Sequence, residues 1–402
     1  MADPLSERWL TIIGIGENGT DGLIGAARAA LADAELVMGP PRHLSLLGPL
    51  NCPTIEWPVP FIDGIARLLD HRGRRVVVLA SGDPFWFGAG SSISRHLERG
   101  EWTVHAAPST FTLAAGQLGW AIQDCACLGL HAAPIGQLRR HLVPGRRIIA
   151  LLRDGPAVRD LADYLVARGF GQSMLHVMEA LGGPRARLRG TRAEDYGLDD
   201  VTHPVAVGLA VEGDGRVMPV ASGLPDDLFE SDGQMTKHPV RALTLSALAP
   251  RPGDTFWDIG AGSGSIGIEW LLAHPANAAT AVEADPVRAA RAAANAAALG
   301  VERLRVIEGR APDCLPESPL PDAVFIGGGL SAPLLEALWA RFPAGTRLVA
   351  NAVTLESESL LALWHGSKGG TLLRIALADA SPIGSRHGWK ARYPVVQWSV
   401  TL

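Results

Sequence analysis

Short apolar runs recur along the whole chain, each followed by an Ala-, Leu- and Arg-rich stretch whose apolar positions fall three and four apart. The first pattern predicts strands and the second amphipathic helices, and their regular alternation predicts an α/β protein. In the first half, "WLTIIGIG" reads as a strand, "TDGLIGAARAALADA" as a helix, "RRVVVLASGDP" as a strand running into a loop, and "STFTLAAGQLGW" as a helix. A second set follows, with strands in "RRIIALL", "SMLHVMEALGG" and "HPVAVGLAVEG" and a helix in "AVRDLADYLVARG". Two sets of elements predict two lobes, with a hinge near 115–125.

The stretch "GDGRVMPVASGLPDDLFESDGQM" breaks the alternation with Gly, Pro, Asp and Ser, the residues of turns and connections. It predicts a first domain over 1–215, a linker over 216–235 and a second domain over 236–402. In the second domain the pattern predicts helices over 238–249, 264–273, 286–299 and from 332. Strands are expected over 254–258, 279–284, 304–308 and 322–327. A strand and helix follow, and "YPVVQWSVTL" closes the chain as a strand.

Composition narrows the function classes. The chain has 402 residues, 47% apolar and 19% charged, with net charge −5. That is enough apolar material for folded cores. Neither half carries the basic excess of a nucleic-acid binder. The cysteines Cys52, Cys125, Cys127 and Cys314 are too scattered for a disulfide framework or a zinc site, so no metal is expected. "MADPLSERWL" has acids where a secretory signal has bases, and no apolar run reaches the ~20 residues of a membrane span. A soluble, cytoplasmic protein is expected, without membrane or nucleic-acid partners and as a homo-oligomer.

The chemistry concentrates in "TFWDIGAGSGSIGIEW". Asp258 ends a strand, Gly260, Gly262 and Gly264 allow a sharp turn and close backbone approach, and a helix opens behind them. Gly262 to Gly267 also fits the dinucleotide fingerprint, so NAD is an alternative. A strand-end carboxylate would face the pyrophosphate of a dinucleotide, whereas S-adenosylmethionine (SAM) offers an ammonium and a sulfonium. Glu283, ending the next strand in "TAVEADP", suits the hydroxyls of an adenosine ribose in either ligand. SAM is the better fit.

Residues 236–402 resemble the class I SAM methyltransferases. The resemblance implies a Rossmann-like seven-stranded sheet ending in an antiparallel pair, here "GGTLLRIALA" and "YPVVQWSVTL". It implies cofactor contacts from Asp258, Gly260, Gly262, Ser263, Gly264, Glu283 and Ala311, with Arg310 where an adenine-binding acid is usual. Gly327, Gly328 and Gly329 lack the bulky motif of amino-methylating relatives and make an open floor for a large flat substrate.

Residues 9–215 resemble the tetrapyrrole methylases, the class III SAM enzymes, through "GIGENGTDGLIGAARAALADAELVMG", "LASGDPFWFGAG" and "PSTFTLAAGQLG" in family order. This implies a bilobal fold holding SAM between the lobes, with contacts from Gly82, Asp83, Pro84, Ser109 and Thr110. The first loop, with Gly14 and Gly16, would receive the macrocycle, although Glu17 and Asn18 stand where the family has Pro. The fused pair resembles the bifunctional decarboxylating methyltransferases of cobalamin biosynthesis. It implies two SAM sites, a polycarboxylate tetrapyrrole substrate, two methyl transfers and loss of CO2. Another tetrapyrrole intermediate, an NAD(P) oxidoreductase fused to a ligand-binding lobe, and a non-catalytic carrier are the competing readings.

A polycarboxylate substrate calls for cations. Lys237, His238 and Arg241 open the first helix of the second domain, with Lys237 and Arg241 on one face. Arg386, His387 and Lys390 fall in what reads as a Gly/Ser-rich loop between the last two strands. Lys237, Arg241 and His387 are the expected catalytic groups, His387 as proton donor, and His238, Arg386 and Lys390 the expected substrate contacts. Glu179 is expected to cap a turn, and the "FWF" at 85–87 to pack the lobes.

Overall fold

A computed structural model describes residues 8–402, which divide into two units. The first runs to Ile135 and resumes over His141–Arg216; the second comprises Gly136–Arg140 and Val217–Leu402.

The first unit contains two sheets. Strands β1 (Leu10–Ile15), β2 (Leu36–Gly39), β3 (Thr54–Glu56), β4 (Val76–Ser81) and β5 (Trp102–His105) form a parallel sheet in the order β3-β2-β4-β1-β5. Its centre is apolar on both faces, as a covered parallel sheet requires: β1 and β4 are buried almost throughout. The chain then crosses to a second sheet through the helix Thr110–Leu118. Ser109 caps that helix by accepting the Thr112 N–H at 3.1 Å, and Gly119 ends it at φ +66°. Phe111, Ala114 and Ala115 on this helix pack against Ile149, Met178 and Ala206 of the second sheet.

That second sheet joins β6 (Cys125–Gly129), β7 (Arg147–Leu152), β8 (Met174–Glu179), β9 (Arg187–Arg192) and β10 (Val205–Ala210) in the order β6-β7-β10-β8-β9. Only β6 and β7 are parallel. The strands β2, β3 and β5 have no counterpart in the sequence reading because they span only three or four residues, and β6 and β9, at the edges of the second sheet, have none either.

In the second unit, β11 (Thr255–Ile259), β12 (Ala278–Glu283), β13 (Arg305–Glu308), β14 (Ala323–Ile326), β15 (Arg347–Ala352), β16 (Thr371–Ile375) and β19 (Val395–Thr401) form one sheet. Its order is β13-β12-β11-β14-β15-β19-β16, with β19 antiparallel to both neighbours. This is the expected α/β architecture, including the antiparallel final pair. The order reverses between β11 and β14, which opens a crevice at the carboxyl ends of those strands.

Residues 217–235, expected as a connection, are part of this unit: Met218, Leu224 and Phe229 lie in its core with Leu245, Phe256 and Trp270. A further antiparallel pair, β17 (Ala378–Ile383) and β18 (Arg386–Ala391), stands between β16 and β19. Among the described residues, no helix is long and apolar enough to cross a membrane.

Candidate active sites

The crevice of the second unit is built from backbone. Gly260 and Ala261 both donate to the Val282 carbonyl, at 2.9 and 3.2 Å, and Gly264 donates to Ala261 at 2.9 Å. The loop turns through Gly260, Gly262 and Gly264 at φ +69°, +57° and +75°, a region in which side chains are strained. A Cβ on Gly260 would come within 2.5 Å of the Gly328 nitrogen, so the loop and the Gly327–Gly329 floor touch through bare backbone.

Asp258 and Glu283 flank this loop. Glu283 accepts the Gly262 N–H at 2.7 Å and the Asp285 N–H at 3.0 Å, which fixes its carboxylate at the end of β12. Asp258 is 1% exposed and accepts the Gly267 N–H through Oδ2 at 3.0 Å, while its Oδ1 is buried without a partner. Burial pushes its carboxyl up to about 7, against the Gly267 hydrogen bond and with a further upward push from Glu283. The Ser263 hydroxyl is likewise buried without a partner. Buried acceptors are normally satisfied, so these two atoms beside a loop made only of backbone suit a ligand that brings positive charge and donors. SAM fits: Asp258 would hold its ammonium, Glu283 its ribose hydroxyls, and the bare backbone would take its length. Ala311 is half-buried after β13 and packs against the core that includes Val324 and Ile326 of β14.

The first unit has a cavity of about 640 Å³ between its two sheets, lined by Gly16, Gly82, Asp83, Ser109 and Thr110 from one side and by β7, β8 and β10 from the other. Here too the backbone is interlocked. A Cβ on Gly14 would overlap the Gly82 carbonyl, and one on Gly82, at φ +53°, would lie 2.9 Å from the Pro108 carbonyl. Asp83 folds the loop by accepting the Phe85 N–H at 2.8 Å, and Pro84 is buried beneath Gly88 and Gly90. Trp86 and Phe87 pack on Phe111 and line the cavity, whereas Phe85 stacks on Trp102 at 5.3 Å. Glu17, standing where the tetrapyrrole methylases have Pro, is 8% exposed and paired with Arg42 and Arg185.

Residues 9–196 match the family model for tetrapyrrole (corrin/porphyrin) methylases, and residues 227–402 that for the precorrin methyltransferase domain. Over 98% of its length the chain is 48% identical to precorrin-6Y C(5,15)-methyltransferase (decarboxylating) of a Sinorhizobium species, covering 96% of that protein. The chain belongs to the decarboxylating precorrin-6Y C5,15-methyltransferase family. The Mycobacterium tuberculosis protein of the same name is 39% identical over 98% of the chain and 99% of its own length. The crystal structure of the C-terminal domain of the Rhodobacter capsulatus precorrin-6Y C5,15-methyltransferase is 49% identical, covering 46% of this chain and 100% of that one, with a TM-score of 0.45. Enzymes of this family are SAM-dependent methyltransferases.

Within this precorrin-6Y methyltransferase fold the expected cationic residues separate. Arg241, expected as a catalytic group, is fully buried, and its guanidinium is engaged by protein partners. It pairs with Glu269 at 2.6 Å and Asp226 at 3.1 Å, donates to the Leu224 and Thr236 carbonyls, and lies 4.8 Å over the Phe229 ring. Glu269 in turn accepts the Gly223 and Leu224 N–H groups, at 2.6 and 2.9 Å. The pair therefore clasps residues 223–236 to the helices His238–Leu248 and Ser265–Ala273. Lys237 stands half-buried at the first of these helices' N-cap, and the exposed His238 donates its N–H to Asp226 at 2.9 Å.

Arg386, His387 and Lys390 do not lie in a loop. They sit on β18, because residues 378–383 and 386–391 zip into register around a two-residue Gly384-Ser385 turn. All three are exposed. β16 ends at Ile375 opposite Val395, and Val396 faces Ala352 at the end of β15, so the hairpin leaves the sheet at its carboxyl edge, where the glycine loop lies. His387 alternates with Trp389 on one face, and Arg386 with Lys390 on the other.

Glu179 keeps its structural role. It receives Arg187 at 2.7 and 2.8 Å, Arg189 at 2.9 Å and the Thr202 N–H at 2.8 Å, and the hydrogen bonds from these groups hold it at about 2 against the cost of burial.

Three polar residues at the carboxyl edge escaped the sequence reading. Asn295 donates to the Ser263 and Glu230 carbonyls, both at 2.9 Å, tying the cofactor loop to the 223–236 segment. Asn351 and Gln397 both donate to the Thr244 hydroxyl at 3.0 Å. An asparagine breaking the alanine run of "RAARAAANAAALG" is the one signal that could have been noticed.

Proposed function

We propose that the chain methylates reduced precorrin-6 at C5 and C15 and removes the ring C acetate carboxyl as CO2, giving precorrin-8. In this reading the N-terminal domain acts at C5 and the C-terminal domain at C15 and in decarboxylation, each with its own SAM site. The observation that carries it is the occurrence, in a chain alignable end to end with enzymes of that name, of two separate loops where interlocked glycine backbone adjoins unfilled space or unpaired buried acceptors.

SAM supplies an electrophilic methyl group when bound. The chain's residues position and enclose. In the second unit Asp258 and Glu283 anchor the two polar ends of the cofactor, and the Gly327–Gly329 floor admits the edge of a flat macrocycle. In this reading Lys237, His238, Arg386 and Lys390 receive substrate carboxylates, and His387 returns a proton to the macrocycle after CO2 leaves. In the first unit the cavity between the sheets takes both ligands and excludes water, which favours in-line placement of nucleophilic carbon and methyl. The electron sink for decarboxylation is the conjugated macrocycle itself.

The test uses the full chain with one loop disabled at a time, followed by mass spectrometry of the pigment. The wild type is expected to add two methyl groups and release one CO2. Gly82→Val, which forces a branched side chain against the Pro108 carbonyl, is expected to leave one methyl addition and the CO2 loss. At SAM concentrations too low to load the weakened second-unit site, Asp258→Asn is expected to leave a single methyl addition, at C5. Loss of the same methyl group in both variants would overturn the division of labour.

A further inference from the structure

Replacing the hydrogen on a methine carbon by methyl releases a proton. The enamine π pair of the macrocycle forms the new C5–C bond, and the C–S bond breaks with its pair on sulfur, leaving neutral S-adenosylhomocysteine. The macrocycle then carries an iminium charge, discharged when the C5–H pair becomes the restored C=C bond and the proton leaves. The step needs an acceptor at the cavity: glycine, proline and capping hydroxyls hold no lone pair basic enough, Asp83 is engaged at Oδ1 by the Phe85 N–H, and Glu17 is paired with Arg42 and Arg185.

We propose that His203 is the proton acceptor of the N-terminal methylation site, an inference that rests on the C5 assignment above. His203 lines the cavity just before β10. Its Nδ1 lies 2.9 Å from the Arg153 carbonyl. A carbonyl only accepts, so Nδ1 carries the hydrogen, and Nε2 keeps its lone pair in the orientation that bond imposes. The charged groups around it fit an acceptor that must hold a proton briefly. Asp154, which caps the helix Gly155–Ala167 and pairs with the exposed Arg153 at 2.8 Å, lies within electrostatic reach of His203. His131, after β6, and His43, on the helix Pro41–Ser45, face it across the cavity, and Glu179 holds the backbone of the adjacent Thr202.

The other two cavity histidines are poorer candidates. His43 is 4% exposed, with Nε2 already engaged by Ser81 and Arg42, and burial with the neighbouring Arg42 pushes it down to about 4. His131 is lowered by burial and by His203.

His203→Asn tests this in the full chain. The Asn amide can still donate to the Arg153 carbonyl, but the basic nitrogen is gone. SAM binding by calorimetry is expected to be unchanged, single-turnover formation of the C5-methyl product to fall by about 10²–10³-fold, and the loss of rate on the acid side to vanish. His203→Ala should be equally slow and recover with added imidazole, in proportion to its neutral form. A wild-type rate in His203→Asn, or a slow rate that keeps the acid limb, would overturn the proposal. If instead the wild type binds SAM in this cavity and never yields C5-methyl product, it is the functional reading that fails.

Discussion

Substituting Arg241 by alanine is expected to destabilise the C-terminal unit by about 3–5 kcal/mol, a loss large enough to unfold a marginal domain. The guanidinium is fully buried between Glu269, Asp226 and the Leu224 and Thr236 carbonyls, so its removal leaves a buried carboxylate and two carbonyls without their donor. It also frees residues 223–236 from the helix behind the cofactor loop. Denaturant titration of the C-terminal unit measures the loss directly. In Arg241→Met combined with Glu269→Gln, the charge that needs neutralising is gone and Gln can still accept the Gly223 or Leu224 N–H. That double variant is expected to recover more than half of the stability. A variant of wild-type stability with no turnover would instead restore Arg241 to the reacting groups.

Asp258→Asn is expected to separate stability from binding. A carboxyl raised to about 7 by burial is protonated in the folded chain over a range where the unfolded chain, with an ordinary carboxyl near 4, is ionised. The folded state then binds the extra proton, so this group makes the ligand-free protein less stable as pH rises from about 4 to 7. Asn removes that slope and leaves the ligand-free protein more stable at neutral pH. A bound ammonium reverses the preference. SAM binding below pH 7 is expected to release a proton, and affinity at this site to climb with pH and level off above about 7. In Asp258→Asn the pH dependence disappears and affinity at the second-unit site weakens by at least about 30-fold, the equivalent of ~2 kcal/mol for a buried charge partner. Calorimetry in buffers of different ionisation enthalpy reads both quantities. Unchanged affinity at every pH would mean that Asp258 does not face the cofactor's charge.

The parts of the candidate site legible in the sequence are those encoded within one strand-loop-helix. Asp258, Gly260, Gly262, Gly264 and Glu283 were identifiable because a strand end, a positive-φ turn and a helix start demand particular residues at fixed spacing. The misread ones depend on what packs against them. Lys237 and Arg241 are four apart, but Lys237 is the N-cap, outside the helix, and spacing says nothing about whether segment 223–236 will cover Arg241. Glu269 looked like any helical acid until it met Arg241. Arg386, His387 and Lys390 were assigned to a loop because the β17–β18 hairpin carries Gly, Ser and Pro and almost no burial, so it lacks the alternation by which strands announce themselves.

Sequence by itself therefore determined the alternating α/β plan, the two glycine loops with their strand-end acids, and the family that their combination resembles. These are short-range properties, fixed by backbone geometry and by the period of apolar residues. Only the tertiary structure decided which cations are buried and which are exposed, and that burial raises the Asp258 carboxyl. It alone brought His203, His131 and His43, distant along the chain, to one cavity. Burial and electrostatic environment are set by residues tens to hundreds of positions away, and no local pattern records them.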